Sequence, residues 1–272
     1  MEMIDLSRLE PQETLNHTSK GNQLKWKCYG YWYKADHMGY EGLAETIVSA
    51  LLGKSTVKYP FVAYEYSQIK YKERIYRGCK SADFLADGYD LIPLEKLYRK
   101  FTGGSLAVDT AHQGEITDQI KFLVNFVEQT TGLQEFGRYL TSMLEIDAFF
   151  LNEDRHTNNI AVQYNAADNT YALCPLFDNG LSLLADTNMD FPLERSLEDC
   201  LKTVEAKPFS RYFDEQLDAA EELYGIQLHF NFSTNDVKAL IDSYRTAYSQ
   251  EICDRCEALI RRQMRHYGYL VK

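Results

Sequence analysis

Long apolar runs are missing from this chain of 272 residues. The longest, such as ALCPLF at 172–177, fall far short of the roughly 20 apolar residues that span a bilayer. The opening MEMIDLSRLEPQE has neither the basic start nor the apolar stretch of a secretory leader. Both gaps speak against a membrane span and set the expectation of a cytoplasmic protein. Cysteine is present but not organised. Cys28, Cys79, Cys174, Cys200, Cys253 and Cys256 are scattered over a long chain, unlike the disulfide framework of a small secreted domain. The only close pair, Cys253 and Cys256 in SQEICDRCEALIRRQ, stands at helical spacing, and no second pair completes a zinc set. Positive charge is also scarce. With 29 Lys and Arg against 40 Asp and Glu, the net charge is −11, which repels nucleic acid and anionic membranes and leaves room only for a local basic site. Internal repeats and low-complexity segments are absent.

What is there is a globular composition, 45% hydrophobic and 25% charged, long enough to bury a sizeable core in one large domain or two lobes. Two textures divide the chain. Up to about residue 90 it is rich in Tyr and β-branched residues and broken by Gly. LKWKCYGYWYKAD (24–36) reads as strand, turn and strand, and VKYPFVAYEYSQIKYKERIYRGCKS (57–81) as two or three further strands. Between them YEGLAETIVSALLGK carries Leu43, Ile47, Ala50 and Leu51 at helical spacing and stops near Gly53. A small antiparallel sheet with a helix against it is expected. From IPLEKLYRKF onward the period becomes helical. DQIKFLVNFVEQTTG and LQEFGRYLTSMLEIDAFFL read as helices separated by Gly132, and the tail from Ser233, with Asp236 as its capping partner, reads as helical almost to the end.

One break stands out within the helical part. FLNEDRHTNNIAV (150–162) packs two acids, an Arg, a His and three Asn between apolar flanks. After it, IAVQY and TYALCPLFD read as two strands around the turn NAADN, and the second ends in FDNG. A hairpin returns the chain to where it left, so Asp154, Asn159 and Asp178 converge at one mouth. Two carboxylates and an amide form a hard-oxygen set suited to magnesium. Phosphoryl transfer needs mainly positioning and charge neutralisation, which such a set supplies. Taken singly, Asp154 and Asn159 also fit turn and capping roles, Asp178 fits a turn closure, Lys34 a solvated strand residue and Glu45 an exposed helix charge. His156 reads as a hydrogen-bonded structural residue, and Asp147, on the apolar side of its helix, as a buried carboxylate that stiffens the loop.

DRHTNNI followed by FDNG resembles the catalytic and metal-binding segments of HipA-like serine/threonine kinases, and DRHxxNI is also similar to phosphatidylinositol kinases. The resemblance runs through most of the chain in order: TSKGNQLKWK resembles a phosphate-covering loop of the kind S-x-G-x-Q-x-K, YWYKAD a nucleotide-lysine strand, RGCKSADF an adenine-reading connector, and AKPFS (206–210) also resembles the family. It implies an α+β, protein-kinase-like two-lobed fold, with a small antiparallel β-rich lobe over 1–90 and a larger, mainly helical lobe over 91–272. It implies ATP and Mg2+ as cofactors and a protein Ser or Thr as acceptor.

By the same resemblance Asp154 is the catalytic carboxylate, Asn159 and Asp178 are the magnesium ligands, and His156 is a scaffold of the loop. Ser19, Lys20, Gly21, Asn22 and Gln23 cover the phosphates, Lys34 contacts the nucleotide and is held by Glu45, and Cys79, Lys80, Ser81 and Asp83 lie near the base. Thr18 and Ser19 become candidates for inhibitory autophosphorylation, since about two added negative charges would repel the nucleotide. The absence of G-x-G-x-x-G, H-R-D and D-F-G separates the chain from ordinary eukaryotic protein kinases. Because the sequence starts almost at the phosphate loop, the N-terminal subdomain of full-length HipA proteins is expected to be missing. A lipid or small-molecule kinase and a nucleotide-binding pseudokinase are the alternative readings.

Overall fold

Alternating apolar and polar residues in the first third of the chain give each strand two unlike faces. The computed structural model describes residues 3–12 and 23–272. Its strands β1 (Met3–Asp5), β2 (Lys25–Cys28), β3 (Tyr31–Ala35), β4 (Tyr64–Tyr71) and β5 (Arg74–Ala82) form one sheet in the order β1-β4-β5-β3-β2. On one face Trp26, Tyr33, Ala35, Ile69 and Tyr71 close a small core with Leu6. On the other, Lys34 lies beside Lys25 and Cys79 in register, and Ser81 beside Trp32 and Tyr64. The sheet is antiparallel except for β1, which pairs parallel to β4. A three-residue strand is too short to show a period of two, so its sequence carried no signal.

Helix α1 (Glu41–Leu52) is buried along almost its whole length and lies against β4 and β5. Its approach to the sheet depends on two glycines. A Cβ on Gly42 would stand 2.5 Å from the carbonyl carbon of Gly78 and 2.6 Å from its Cα. Backbone does not yield as a side-chain tip does, so Gly42→Ala is expected to displace α1 and destabilise the chain by about 1–3 kcal/mol. An unchanged urea midpoint would contradict that close packing.

The rest of the chain builds the larger lobe. Strand β6 (Tyr89–Pro93) leads into α2 (Leu94–Thr102), α3 (Leu106–Ala111), α4 (Ile116–Thr131) and α5 (Phe136–Phe150). Gly132, at φ 79°, ends α4 where only a residue without a Cβ sits comfortably. Helix α5 is buried on nearly every side and forms the centre of the main core. Strands β7 (Ala161–Asn165) and β8 (Thr170–Leu173) form the expected hairpin and join β6 in a three-stranded sheet. The helices α6 (Leu197–Leu201), α7 (Phe213–Tyr224), α8 (Thr234–Asp242) and α9 (Gln250–His266) complete the lobe. Ser233 and Asp236 form the capping box of α8. The tail departs from the expected near-continuous helix, because a turn over 243–249 separates α8 from α9. That turn carries Tyr248, whose ring packs against Tyr66 of the first sheet. Among the described residues no helix is long and apolar enough to cross a membrane.

One buried acid gives the fold a pH dependence. Glu145 of α5 accepts backbone N–H bonds from Gln227 at 2.7 Å and Leu228 at 3.0 Å. Burial outweighs those bonds and pushes its carboxyl up to about 8 from 4.5. A group raised on folding contributes its stability fully below its unfolded value and loses it as pH rises through the folded one. The urea midpoint is therefore expected to fall between about pH 4.5 and 8, and a midpoint that climbs over that range would contradict this account of Glu145.

Candidate active site

Lys34, Glu45, Asp154, Asn159 and Asp178 stand where the first sheet meets the helical lobe. Lys34 projects from the cleft face of β3. Its Nζ donates to Glu45 Oε1 at 2.6 Å, to Asp178 Oδ1 at 3.1 Å and to Tyr64 Oη at 3.3 Å. The second oxygen of Glu45 accepts the backbone N–H of Asn179 at 2.9 Å. One lysine and one glutamate thus join strand β3, helix α1 and the FDNG segment. Burial alone would lower Lys34, but Glu45, Tyr64 and Asp178 hold it well above its ordinary value. Burial would likewise raise Asp178, but the charges of Lys34, Lys25 and Arg155 hold it well below the usual carboxylate range. Asp178 is therefore an ionised carboxylate with its side chain 28% exposed to the cleft.

The break after α5 is built around a buried ion pair. Leu151 ends the helix in the left-handed region at φ 57°, a conformation that costs a leucine about 1–2 kcal/mol. Asp178, Leu183 and Leu184 also have positive φ, so backbone strain collects in the segments around the cleft. Asp147 of α5 binds Arg155 through two bonds, Nε to Oδ2 at 2.8 Å and Nη2 to Oδ1 at 3.0 Å. The same guanidinium donates to the carbonyls of Asn159 at 3.1 Å and Phe177 at 2.9 Å, and to Asn179 Oδ1 at 3.1 Å. Burial opposes the charge of Arg155, and Asp147 overcomes it and keeps the guanidinium above its ordinary value. Asn152 adds a second link, donating to Asp147 Oδ1 at 2.8 Å and to the Asp178 carbonyl at 3.3 Å. DRHTNN and FDNG, separated by a hairpin in sequence, are stapled together by one arginine and one asparagine.

Asp154 is nearly buried. Its Oδ1 lies 3.4 Å from Lys207 Nζ and 3.7 Å from His156 Nε2, and its Oδ2 accepts from Asn159 Nδ2 at 3.2 Å. Asn159 Nδ2 also donates to the Asp154 carbonyl at 2.8 Å, which leaves the amide oxygen of Asn159 for a cation. That oxygen and the ionised Asp178 carboxylate are hard donors of the type magnesium takes, so the donor set fits the ion. Lys207, Arg155, Asn152 and Lys25 escaped sequence reasoning as participants. Lys207 lies within AKPFS, Lys25 closes the S-x-G-x-Q-x-K pattern, Arg155 is the second residue of DRHTNNI and Asn152 stands just before it, so all four were within quoted stretches. A pocket of about 350 Å³ is lined by Lys207 together with Glu153, Asp190, Phe191, Arg195, Thr203 and Glu205.

Neither protein-family models nor curated proteins match this chain. Among solved structures, the crystal structure of a Helicobacter pylori proinflammatory kinase, CtkA, aligns with a TM-score of 0.65 over 97% of this chain and 95% of that one, at 16% identity. The chain has a kinase-like two-lobed fold. The first sheet and α1 are its small lobe, and the helical part is its large lobe.

Within that kinase-like fold, RGCKSADF straddles the end of β5. Cys79, Lys80 and Ser81 lie inside β5, with β3 on one side and β4 on the other. Their backbone groups are committed to the sheet, and the Asp83 N–H donates to the Gly30 carbonyl at 2.8 Å. Cys79 and Ser81 share the cleft face of Lys34, but Lys80 takes the opposite face, where it pairs with Glu65 at 3.4 Å and stacks over Tyr31. Strand alternation forces this, since Lys80 pairs in register with Tyr33 and not with Lys34. Asp83 is bound to Lys27 at 2.6 Å and to Trp32 Nε1 at 3.2 Å. Gln23 is described and half-buried, ahead of β2, whereas Ser19, Lys20, Gly21 and Asn22 lie outside the described residues.

Proposed function

We propose that this chain is an ATP- and magnesium-dependent phosphotransferase, a HipA-like serine/threonine protein kinase whose residues 1–90 hold the nucleotide and whose residues 91–272 carry the catalytic and metal-binding loops. The observation that carries this reading is Lys34 bonded at once to Glu45 of α1 and to Asp178 of the opposite lobe. A triphosphate between the lobes needs a fixed cation there and an oxygen-ligated metal beside it. Asn159 Oδ1 and the Asp178 carboxylate hold magnesium, which when bound neutralises charge on the phosphoryl oxygens. Cys79 and Ser81 line the roof above the base, Lys25 and Lys34 attract the phosphates, and Ser19 to Gln23 cover them.

Asp154 would orient the acceptor hydroxyl and take its proton on a carboxylate oxygen as the hydroxyl oxygen bonds the γ-phosphorus of ATP and the bond to the bridging oxygen breaks, releasing ADP. Lys207 and the Asn159 amide hold that carboxylate in place. The acceptor is a Ser or Thr on a protein, a reading that follows the HipA-like resemblance. Thr18 and Ser19 are then acceptors on the chain itself, and phosphate there would shut the nucleotide out.

The test is a mass-spectrometric search for phosphate on the chain and on a cell lysate after incubation with ATP and magnesium. Native protein is expected to show Ser or Thr phosphate, absent with Asp154→Ala and Asp178→Ala. Phosphate that persists in both variants, or appears only on added phosphatidylinositol vesicles, would remove the protein-kinase reading.

A further inference from the structure

Helix α1 carries Glu45, and its placement decides whether Glu45 meets Lys34. Tyr40 at the N-cap position makes no side-chain cap. The free N–H of Gly42 in the first turn instead donates at 2.6 Å to Oδ1 of Asp36, a residue two positions after Lys34. A carboxylate at a helix start is favoured by the unpaired N–H groups and by the helix dipole. The other oxygen of Asp36 accepts the hydroxyl of Tyr248 at 2.8 Å. Tyr248 comes from the turn between α8 and α9 in the large lobe and is buried. Its ring meets Tyr66 of β4 edge-on at 5.8 Å and lies under the Arg77 guanidinium at 4.8 Å. Glu41 is occupied elsewhere, accepting the N–H groups of His37, Met38 and Gly39. One carboxylate therefore ties the end of β3, the first turn of α1 and a tyrosine of the opposite lobe.

We propose that Asp36 and Tyr248 form a latch between the lobes that fixes α1 and so keeps Glu45 against Lys34, making both of them positioning residues for phosphoryl transfer. The proposal rests on the kinase reading for its effect on rate, and on geometry alone for its effect on α1. The groups facing Asp36 are Glu41 of α1, Arg77 and Cys79 of β5, Tyr66 of β4 and Tyr248, with His37 next to Asp36 in the chain. Burial of the carboxylate, and then the Glu41 charge, push Asp36 up to about 7. Its ionised form accepts both bonds as charge-assisted ones, and its acid form weakens both. Because the closed, buried state nevertheless raises this carboxyl, closure is easiest below the ordinary carboxylate range and grows harder as pH rises through about 7.

The test uses the full chain, with Tyr248→Phe removing one hydroxyl while keeping the ring contacts. A thermal melt checks that the variant folds. Hydrogen exchange of the Gly42 amide, which needs no enzyme activity, is expected to be about tenfold faster in Tyr248→Phe than in the native chain at the same pH. Transfer of labelled phosphate from ATP to the chain itself is expected to fall about tenfold in Tyr248→Phe and to fall less in Asp36→Asn, whose amide oxygen still accepts from Gly42. Unchanged Gly42 exchange in a folded Tyr248→Phe would overturn the latch. A native chain that transfers no phosphate would instead overturn the kinase reading and leave the exchange result to decide the latch.

Discussion

Replacing Asp147 by Ala is expected to destabilise the chain by about 3–5 kcal/mol, the cost of leaving a buried charge without its partner. Asp147 is fully buried, and Arg155 is 2% exposed. The guanidinium has no water to turn to, and it stays charged because Asp147 raises it further above its ordinary value. The loss should be larger than the ion pair alone accounts for, because the same side chain holds the carbonyls of Asn159 and Phe177. For a chain of this size each kcal/mol moves the melting temperature by about 2–4 °C, so a drop of order 10 °C is expected. Removing both partners, as in Asp147→Leu with Arg155→Met, should cost less than removing either, because no orphan charge remains. A single-variant loss below about 1 kcal/mol, as for an exposed pair, would show that Arg155 reaches water and does not staple the two loops.

Asp154→Asn should produce the largest change in rate, a fall of about 10²–10⁴-fold in phosphoryl transfer, the usual contribution of a positioned acid or base. The substitution keeps the shape of the side chain and its contact with Asn159, but it removes the charge that Lys207 faces at 3.4 Å and the oxygen that takes the proton. Nucleotide affinity should change little, because neither Lys34 nor Glu45 touches Asp154. Transfer of labelled phosphate and calorimetric ATP binding, measured together, separate the two effects. A rate within a few-fold of native would mean that another group takes the proton and that Asp154 is a turn residue. Losing rate and nucleotide binding together would point to collapse of the loop.

Much of the cleft was legible because its signals are local. The hairpin of β7 and β8 follows from two alternating runs around NAADN, and it returns FDNG to DRHTNN whatever the rest of the chain does. Asp147 was readable as a buried acid from its place on the apolar side of α5. Lys207 was not readable as a partner of Asp154, since 53 residues separate them and no period links the two. The strand face taken by Lys80 was not readable for a different reason. RGCKSADF resembles a connector as a string, yet whether a residue belongs to a strand or to the loop after it depends on where its neighbours stop pairing.

By itself the sequence determined most of the longer strands and helices, though not β1, the end of β5 or the turn between α8 and α9, together with the polar break after α5, because periodicity, capping and turn chemistry act between residues a few positions apart. Only the tertiary structure decided that Lys34 meets both Glu45 and Asp178, that Arg155 closes the two loops on each other, and that Tyr248 crosses from one lobe to Asp36 in the other. Those contacts depend on how closely α1 lies on Gly78 and on how the two lobes pack. That packing is settled by the whole core at once, and no short stretch of residues encodes it.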